Sequence, residues 1–215
     1  MISLKESPEY RPKYAVEPVP LSSQEFQDQN KVEALTEQSE QLSVNPEREV
    51  VKVVDLYDGD TIVYKTQDGE VQIGRLIGIN TPENTKQKQV FGQEATDFLA
   101  KLILDKEVEI ERDPNAGITD KYGRYLIHAF IGGKSIQQIL ILEGLARVAY
   151  LYDDYNYIDI YKEAEEAAKV AALNIWSIPG YVDGINGFNM DAVKNNAESK
   201  FTEKLNSLKE KFSTN

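Results

Sequence analysis

Alternation of hydrophobic and polar residues predicts three β-strands in the first patterned part of the chain. Val51 and Val53 flank Lys52, and further runs cover residues 61–64 and 71–79. Between the second and third runs, Asp68 and Gly69 supply the positive-φ turn that closes a tight hairpin. We therefore expect the second and third strands to form a hairpin.

After residue 92 the spacing of apolar residues becomes helical. A helix is predicted over 92–105, strands over 107–111 and 125–131, and a longer helix over about 157–172. Between them, Ser135 is placed to cap a short helix that runs to Glu143, with Gly144 as its left-handed stop. Five strands with helices after the third and the fifth favour a small, partly open Greek-key barrel with about three packed helices, in the α+β class.

The two ends of the chain differ from this patterned region. Residues 1–48 combine prolines with Ser, Gln and Glu and have little apolar periodicity, which predicts a disordered acidic tether, with a frayed helix near 24–41. Residues 49–180 form the predicted barrel domain, and 181–215 a linker followed by an amphipathic helix over 191–212. The apolar stripe of that helix either docks on the same domain or frays; a dimer or partner contact is the alternative, and we expect a monomer.

The amino-acid composition limits the kinds of metal site and catalytic site that the chain can form. The chain has no cysteine and one histidine, which excludes thiolate and paired-histidine metal sites and makes a serine–histidine triad improbable. His128 alternates within a strand and is interpreted as a structural side chain. A net charge of −12 argues against binding nucleic acid by bulk charge alone. Carboxylates, arginines and tyrosines remain as the available chemistry.

Two candidate motifs lie at predicted strand ends. One contains Asp58 and Asp60, and the other contains Asn80, Thr81 and Glu83. Carboxylate, amide and backbone oxygens of this kind suit Ca²⁺ if the barrel brings the strand ends together. Taken singly, each motif is typical of turn chemistry rather than of a metal site.

Two arginines add a second kind of chemistry. Arg75 lies on the third predicted strand, and Arg124 follows a charged loop. Guanidinium groups match phosphate oxygens and stabilise charge that develops at phosphorus, although each arginine alone is also typical of a surface ion pair. Together with the carboxylates, they indicate attack by water on a phosphodiester.

The combined motifs resemble those of thermonuclease, the staphylococcal nuclease-like family. They occur in the family's order over about residues 50–180, and the segments that carry the resemblance are 54–61, 75–83, 119–124, 144–150 and 173–176. The resemblance implies an OB-type barrel and a hydrolase, a Ca²⁺-dependent endonuclease that cleaves DNA and RNA, preferably single-stranded, to 3′-phosphate products.

The resemblance also implies a role for individual residues. Asp60 matches a carboxylate metal ligand, and Thr81 a residue whose backbone carbonyl binds Ca²⁺. Glu83 matches the residue usually given the general-base role, and Arg75 and Arg124 match the two arginines on the scissile phosphate. Four residues match positions around the bound nucleotide: Lys121, Tyr122, Tyr150 and Tyr152. Asp58 resembles a neighbour of the ion.

One departure separates this chain from the family pattern. The family usually has Asp as a second carboxylate ligand where this chain has Asn80. An amide oxygen still coordinates Ca²⁺, but the site loses one negative charge, which predicts weaker binding. The main alternative is a catalytically weak or inactive nucleic-acid-binding module on the same barrel. A Ca²⁺-binding or adhesion domain explains the carboxylates but leaves the two arginines without a role.

Cellular location is open at this level. The resemblance implies a secreted protein, while the first residues of this sequence show neither an export signal nor any run long enough for a membrane span.

Overall fold

Residues 48–213 are described by a computed structural model, with the exception of residues 86, 185 and 186; for 208–213 only the backbone is described. The predicted N-terminal tether, except Arg48, and its frayed helix therefore lie outside the described residues. The predicted division into a tether, a barrel domain and a C-terminal extension stays a prediction.

Five strands close into a barrel. The strands are β1 (Glu49–Asp58), β2 (Thr61–Lys65), β3 (Val71–Leu76), β5 (Glu107–Glu111) and β6 (Tyr125–Ile131). They pair in the order β3-β2-β1-β5-β6, and a parallel pairing of β3 with β6 closes the sheet on itself. The predicted α+β barrel is confirmed.

Shorter strands and helices complete the described fold. The remaining strands are β4 (Ile79–Asn80), β7 (Lys134–Ser135), β8 (Arg147–Val148), β9 (Val182–Asp183) and β10 (Gly187–Phe188). The helices are α1 (Gly92–Ile103), α2 (Ile136–Leu142), α3 (Ile158–Val170) and α4 (Met190–Ser213), with a 3-10 turn at Asn174–Ser177. None of the described helices is long and apolar enough to cross a bilayer.

The predicted third strand is shorter than its apolar run. β3 ends at Leu76, and Gly78, with φ of 77°, turns the chain so that β4 leaves the barrel and pairs with β8. A side chain with a β-carbon disfavours this left-handed conformation, so glycine determines where the strand breaks. The turn carries Asn80 and the residues after it to the mouth of the barrel.

Local signals in the sequence explain several element ends. Gly69 has φ of 89° in the hairpin between β2 and β3, and the Ser135 hydroxyl accepts the Gln138 N–H at the start of α2. One apolar core joins fully buried side chains of the barrel and of α1, among them Leu76 of β3 and Leu99 and Ile103 of α1.

The C-terminal helix is only partly docked. Met190 and Val193, in its first turn, pack against a second apolar cluster formed by Ile175, Tyr181 and Phe188, among others. Farther along, Phe201 is 69% exposed and Leu205 41% exposed. Docking of the whole stripe on the same domain is therefore wrong beyond the first turn.

Candidate active site at the barrel mouth

Two turns meet at one end of the barrel. The turn between β1 and β2 contains Asp58 and Asp60, and the Asp60 N–H donates to Oδ1 of Asp58 over 3.2 Å. The segment after β4 approaches it, because the Thr81 N–H donates to Oδ2 of Asp60 over 3.1 Å. The barrel therefore brings the two predicted motifs into direct contact.

A glycine makes this close approach possible. A β-carbon at Gly59 would lie 2.8 Å from Cβ of Ala95 on α1 and 2.9 Å from Oγ1 of Thr81. Real β-carbons essentially never come this close, so the turn packs here only with glycine. The Thr81 Oγ1 is itself buried, with no hydrogen-bond partner among the described residues.

Arg75 points into this junction from β3. Its Nη2 lies 3.0 Å from Oδ2 of Asp60 and donates to the Ile79 carbonyl over 2.8 Å, and Nη1 donates to the Leu76 carbonyl. The residue is 8% exposed. Its guanidinium is thus held in one orientation at the edge of the cleft.

Arg124, just before β6, lines the same cleft as Arg75. Its Nε and Nη2 both lie 2.7 Å from Oδ2 of Asp120, and Nη1 donates to Oγ1 of Thr61 over 3.2 Å. Burial opposes ionisation of Asp120, but hydrogen bonds from Arg124 and from the Tyr122 N–H outweigh it and hold its pKa below the usual range. Asp120 therefore stays charged and orients Arg124.

These groups border one cleft of about 570 Å³. Every sequence-predicted site residue except Thr81 lines it, and Thr81 adjoins it through Asp60. The predicted residues on its wall are Asp58, Asp60, Arg75, Asn80, Glu83, Lys121, Tyr122, Arg124, Tyr150 and Tyr152. Asp120 and Tyr155 also line the cleft and were missed by sequence reasoning. A carboxylate four residues before Arg124 was a usable signal for Asp120, whereas the sequence offers none for Tyr155.

The carboxylates of the cleft repel one another. The pKa of Asp58 is raised to about 7, chiefly by burial and then by the negative charges of Asp60 and Glu83. Asp58 and Asp60 are 9% and 5% exposed, so water screens this repulsion poorly. A bound cation would relieve it.

The residues present fit a hard cation by the chemistry of their donors. Carboxylate oxygens come from Asp58, Asp60 and Glu83, and the amide oxygen of Asn80 faces the Tyr150 hydroxyl at 3.5 Å. In the described part of the chain, no three acidic or histidine side chains converge tightly enough to form a ready metal cluster. Amide and backbone carbonyl oxygens and water would therefore have to complete the coordination.

Aromatic side chains form the outer part of the cleft. The rings of Tyr150 and Tyr152 stack with centroids 6.4 Å apart and are 49% and 82% exposed. Tyr122 also lines the cleft and is 72% exposed, and the cationic groups of Lys121 and Arg124 lie 5.0 and 5.5 Å from the centre of its ring. Exposed tyrosines beside cations can stack on bases and contact phosphates.

His128 lies away from the cleft, as its strand position predicts. It is fully buried, its Nε2 is 3.0 Å from Oδ2 of Asp113, and its Nδ1 is 3.1 Å from the Tyr161 hydroxyl. Burial opposes ionisation of Asp113, but hydrogen bonds from His128 and from the Asn115 and Asn156 N–H groups outweigh it and hold its pKa below the usual range. This network ties β6 to the loop that carries the cleft tyrosines.

Comparison with known proteins identifies related chains. A family model described as staphylococcal nuclease homologue matches residues 74–178. The SPbeta prophage-derived endonuclease YokF of Bacillus subtilis is 42% identical over 136 residues, which cover 60% of this chain and 45% of that protein. Endonuclease YncB of the same organism is 39% identical over 138 residues, covering 61% and 63%. Thermonuclease of Staphylococcus hyicus is 35% identical over 136 residues, covering 62% and 79%. The chain thus spans about half to two thirds of the two Bacillus relatives.

Proposed function

Because the chain belongs to the family of staphylococcal nuclease homologues, we propose that it is an endonuclease that requires Ca²⁺ and hydrolyses DNA and RNA to 3′-phosphate products. The observation that carries the proposal is the convergence of Arg75, Arg124 and Glu83 on one cleft. A module that only binds nucleic acid has no need for this carboxylate in the same cleft as the two arginines.

Each residue has a distinct task in the proposed reaction. Glu83 orients the attacking water and accepts its proton as the water oxygen bonds to phosphorus. The bond from phosphorus to the 5′ oxygen breaks, and the departing oxygen takes a proton from solvent, which leaves the phosphate on the 3′ oxygen. Arg75 and Arg124 both bind the scissile phosphate and stabilise the charge that develops on its oxygens. Asp120 supports this task by holding the guanidinium of Arg124 over two contacts of 2.7 Å.

Asp60, Asn80 and the backbone carbonyl of Thr81 would hold the Ca²⁺, with Asp58 as a charged neighbour. When bound, Ca²⁺ supplies Lewis-acid polarisation of a phosphate oxygen. The unrelieved repulsion around Asp58 supports a cation here, since its pKa is raised to about 7 by burial and by Asp60 and Glu83. Asn80 in place of a carboxylate implies a weak site.

Substrate binding is proposed for the aromatic and basic part of the cleft. Lys121, Tyr122, Tyr150 and Tyr152 border it, and two of these tyrosines are stacked and exposed. Bases of a single strand are free to stack on such rings, so single-stranded DNA and RNA are the preferred substrates. We propose that the protein acts as a monomer, and outside the cell, where millimolar Ca²⁺ would fill a weak site.

Cleavage of a fluorescent single-stranded DNA with millimolar Ca²⁺ or with chelator tests the proposal. Glu83→Gln should lower kcat by about 100-fold or more while the affinity for DNA stays within twofold, because it removes only the proton acceptor. Glu70→Gln, on the exposed hairpin far from the cleft, is the matched control. A wild-type protein that binds the DNA without cutting it would instead identify a binding module.

A further inference from the structure

Residues that follow the family match pack against the site. The match to the family model ends at residue 178, so this part of the chain lies outside it. We call residues 179–184 and 187–189 the Tyr181 segment. Tyr181 is fully buried, its ring lies 5.4 Å from that of Phe188 and 6.2 Å from that of Phe91, and its hydroxyl donates to the Val90 carbonyl over 2.5 Å. The segment is therefore anchored on the chain just before α1.

Val90 follows Gln89, the residue whose hydrogen bonds close the loop that carries Glu83. The Gln89 N–H donates to the Glu83 carbonyl over 2.9 Å, and the Gln89 side-chain Oε1 accepts the Glu83 N–H over 2.9 Å. A β-carbon at Gly92 would lie 2.3 Å from the Glu83 carbonyl oxygen, so the loop base is also pressed against the start of α1. The backbone of Glu83 is thus fixed by residues 89–92, and Tyr181 bonds the middle of that stretch.

The same segment reaches Asn80. A β-carbon on Gly187 would lie 3.8 Å from Nδ2 of Asn80 and 3.9 Å from Nη2 of Arg147. The guanidinium of Arg147 also lies 6.0 Å from the centre of the Phe188 ring. One short segment therefore bonds the stretch at the base of the Glu83 loop and also lies close to Asn80.

From these contacts we propose that the Tyr181 segment is a positioning element of the catalytic centre, in which Tyr181 fixes Glu83 through Val90 and Gln89. The inference rests on the proposed function of Glu83. Catalytic groups lose much of their effect when displaced by about 1 Å, so a bond that holds the loop base acts on turnover. It has little effect on binding, because Arg75, Arg124 and the tyrosines are held by other elements.

Tyr181→Phe is the first test, because it removes the hydroxyl and keeps the ring. We expect kcat for single-stranded DNA to fall about tenfold with KM within twofold. Amide hydrogen exchange supplies a readout that needs no activity. The Glu83 and Gln89 amides should exchange faster in the variant, while exchange in β1, β5 and β6 stays unchanged.

Tyr64→Phe is the matched control. Tyr64 is also fully buried and donates one hydrogen bond, over 2.9 Å to the Gln72 side chain, but it lies on β2 away from the Glu83 loop. It should leave kcat and the Glu83 and Gln89 exchange rates unchanged. If Tyr181→Phe is too unstable to purify, Phe188→Leu is the substitute, because it loosens the ring contact and keeps the hydroxyl bond. It should give a smaller loss of kcat than Tyr181→Phe and faster exchange at the same two amides, Glu83 and Gln89.

The results separate the two proposals. The positioning role is overturned if the Tyr181→Phe variant has the kcat of the wild-type protein and the same exchange rates at Glu83 and Gln89. A uniform rise in exchange over the whole barrel also overturns it, because it indicates a merely structural bond. Absence of cleavage by the wild-type protein overturns the proposed function, and the exchange experiment then still decides whether Tyr181 fixes the loop.

Discussion

Nη2 of Arg75 lies 3.0 Å from Oδ2 of Asp60, and both residues are more than nine-tenths buried. The same carboxylate oxygen accepts the Thr81 N–H. The proposed phosphate-binding arginine and the proposed metal ligand therefore hold each other in the free protein. In the proposed reaction, Arg75 exchanges part of this ion pair for the phosphate, and its two backbone carbonyl contacts keep its guanidinium in place.

Asp60→Asn should weaken Ca²⁺ binding at least tenfold, because it removes a buried negative charge from the donor set. The fold should persist, since Arg75 keeps its carbonyl acceptors. The rise in Tm on adding Ca²⁺, measured over a concentration series, reports the affinity. Asp68→Asn, on the exposed hairpin turn, is the control. An unchanged Ca²⁺-dependent Tm shift in the Asp60 variant would contradict the assignment.

Asn80→Asp should lower the Ca²⁺ concentration that gives half-maximal cleavage, because it restores a carboxylate beside Asp60. We expect a severalfold change rather than a large one, since Arg147 lies opposite Asn80 in the β4–β8 pair and offsets part of the added charge. Calcium titrations of both proteins measure the effect, with the exposed Asn195→Asp on α4 as control. If both proteins reach half-maximal cleavage at the same Ca²⁺ concentration, the charge argument is contradicted.

Asp58→Asn should stabilise the metal-free protein at high pH. The pKa of Asp58 is about 7 in the folded protein, against 3.8 for an unperturbed Asp, so the folded state binds the proton more tightly than the unfolded state. Stability is lost as pH rises from about 4 to about 7. Above pH 7 we expect the variant to be more stable by at most ~4 kcal/mol, and below pH 4 the difference should vanish.

Urea unfolding at pH 4 and pH 8 with chelator measures this difference. A variant less stable than wild type at pH 8 would show that the Asp58 carboxylate is compensated in the folded protein. Repeating the pH 8 measurement with Ca²⁺ should narrow the gap, because a bound cation relieves the same repulsion in the wild-type protein.

Asp113→Asn should have the opposite pH dependence. Its pKa lies below the ordinary value in the folded protein, so its stabilising effect is present above the unfolded pKa and is lost as pH falls through the folded one. Removing this buried carboxylate, which accepts hydrogen bonds from the Asn115 and Asn156 N–H groups and contacts His128, should cost about 3 kcal/mol at neutral pH. Urea midpoints of the two proteins should differ by a constant amount from pH 7 to about pH 4 and approach each other as pH falls further. Curves that stay parallel below pH 4 would contradict this account.

Much of the barrel could be predicted because its signals are local. The bounds of β5 and β6 agree with the strand alternation, and Ser135 and Gly69 act at the turn and cap positions that their chemistry indicates. The break after Leu76 was missed, since an apolar run does not show which glycine adopts a positive φ. The two-residue strands β9 and β10 are too short to give any periodic signal.

The residue types of the site were predictable in the same way, through the resemblance of the ordered motifs. Asp60, Arg75, Glu83 and Arg124 were selected from separate segments, and the structure brings them to one cleft. Their roles stay predictions until variants are measured. Tyr155 and the Tyr181 segment were not selected, because their importance lies in what they contact rather than in their own sequence.

Local pattern and chemistry predict the five barrel strands, several of the turns with special backbone angles and the set of chemical groups available for reaction. Which distant groups meet depends on the closed barrel: Asp60 pairs with Arg75, Asp58 is buried among like charges, and Tyr181 bonds Val90. The two kinds of information differ in the distance along the chain over which they act. Propensity and periodicity act between neighbours in the chain, whereas burial, ion pairing and desolvation depend on which distant segments the closed barrel brings together.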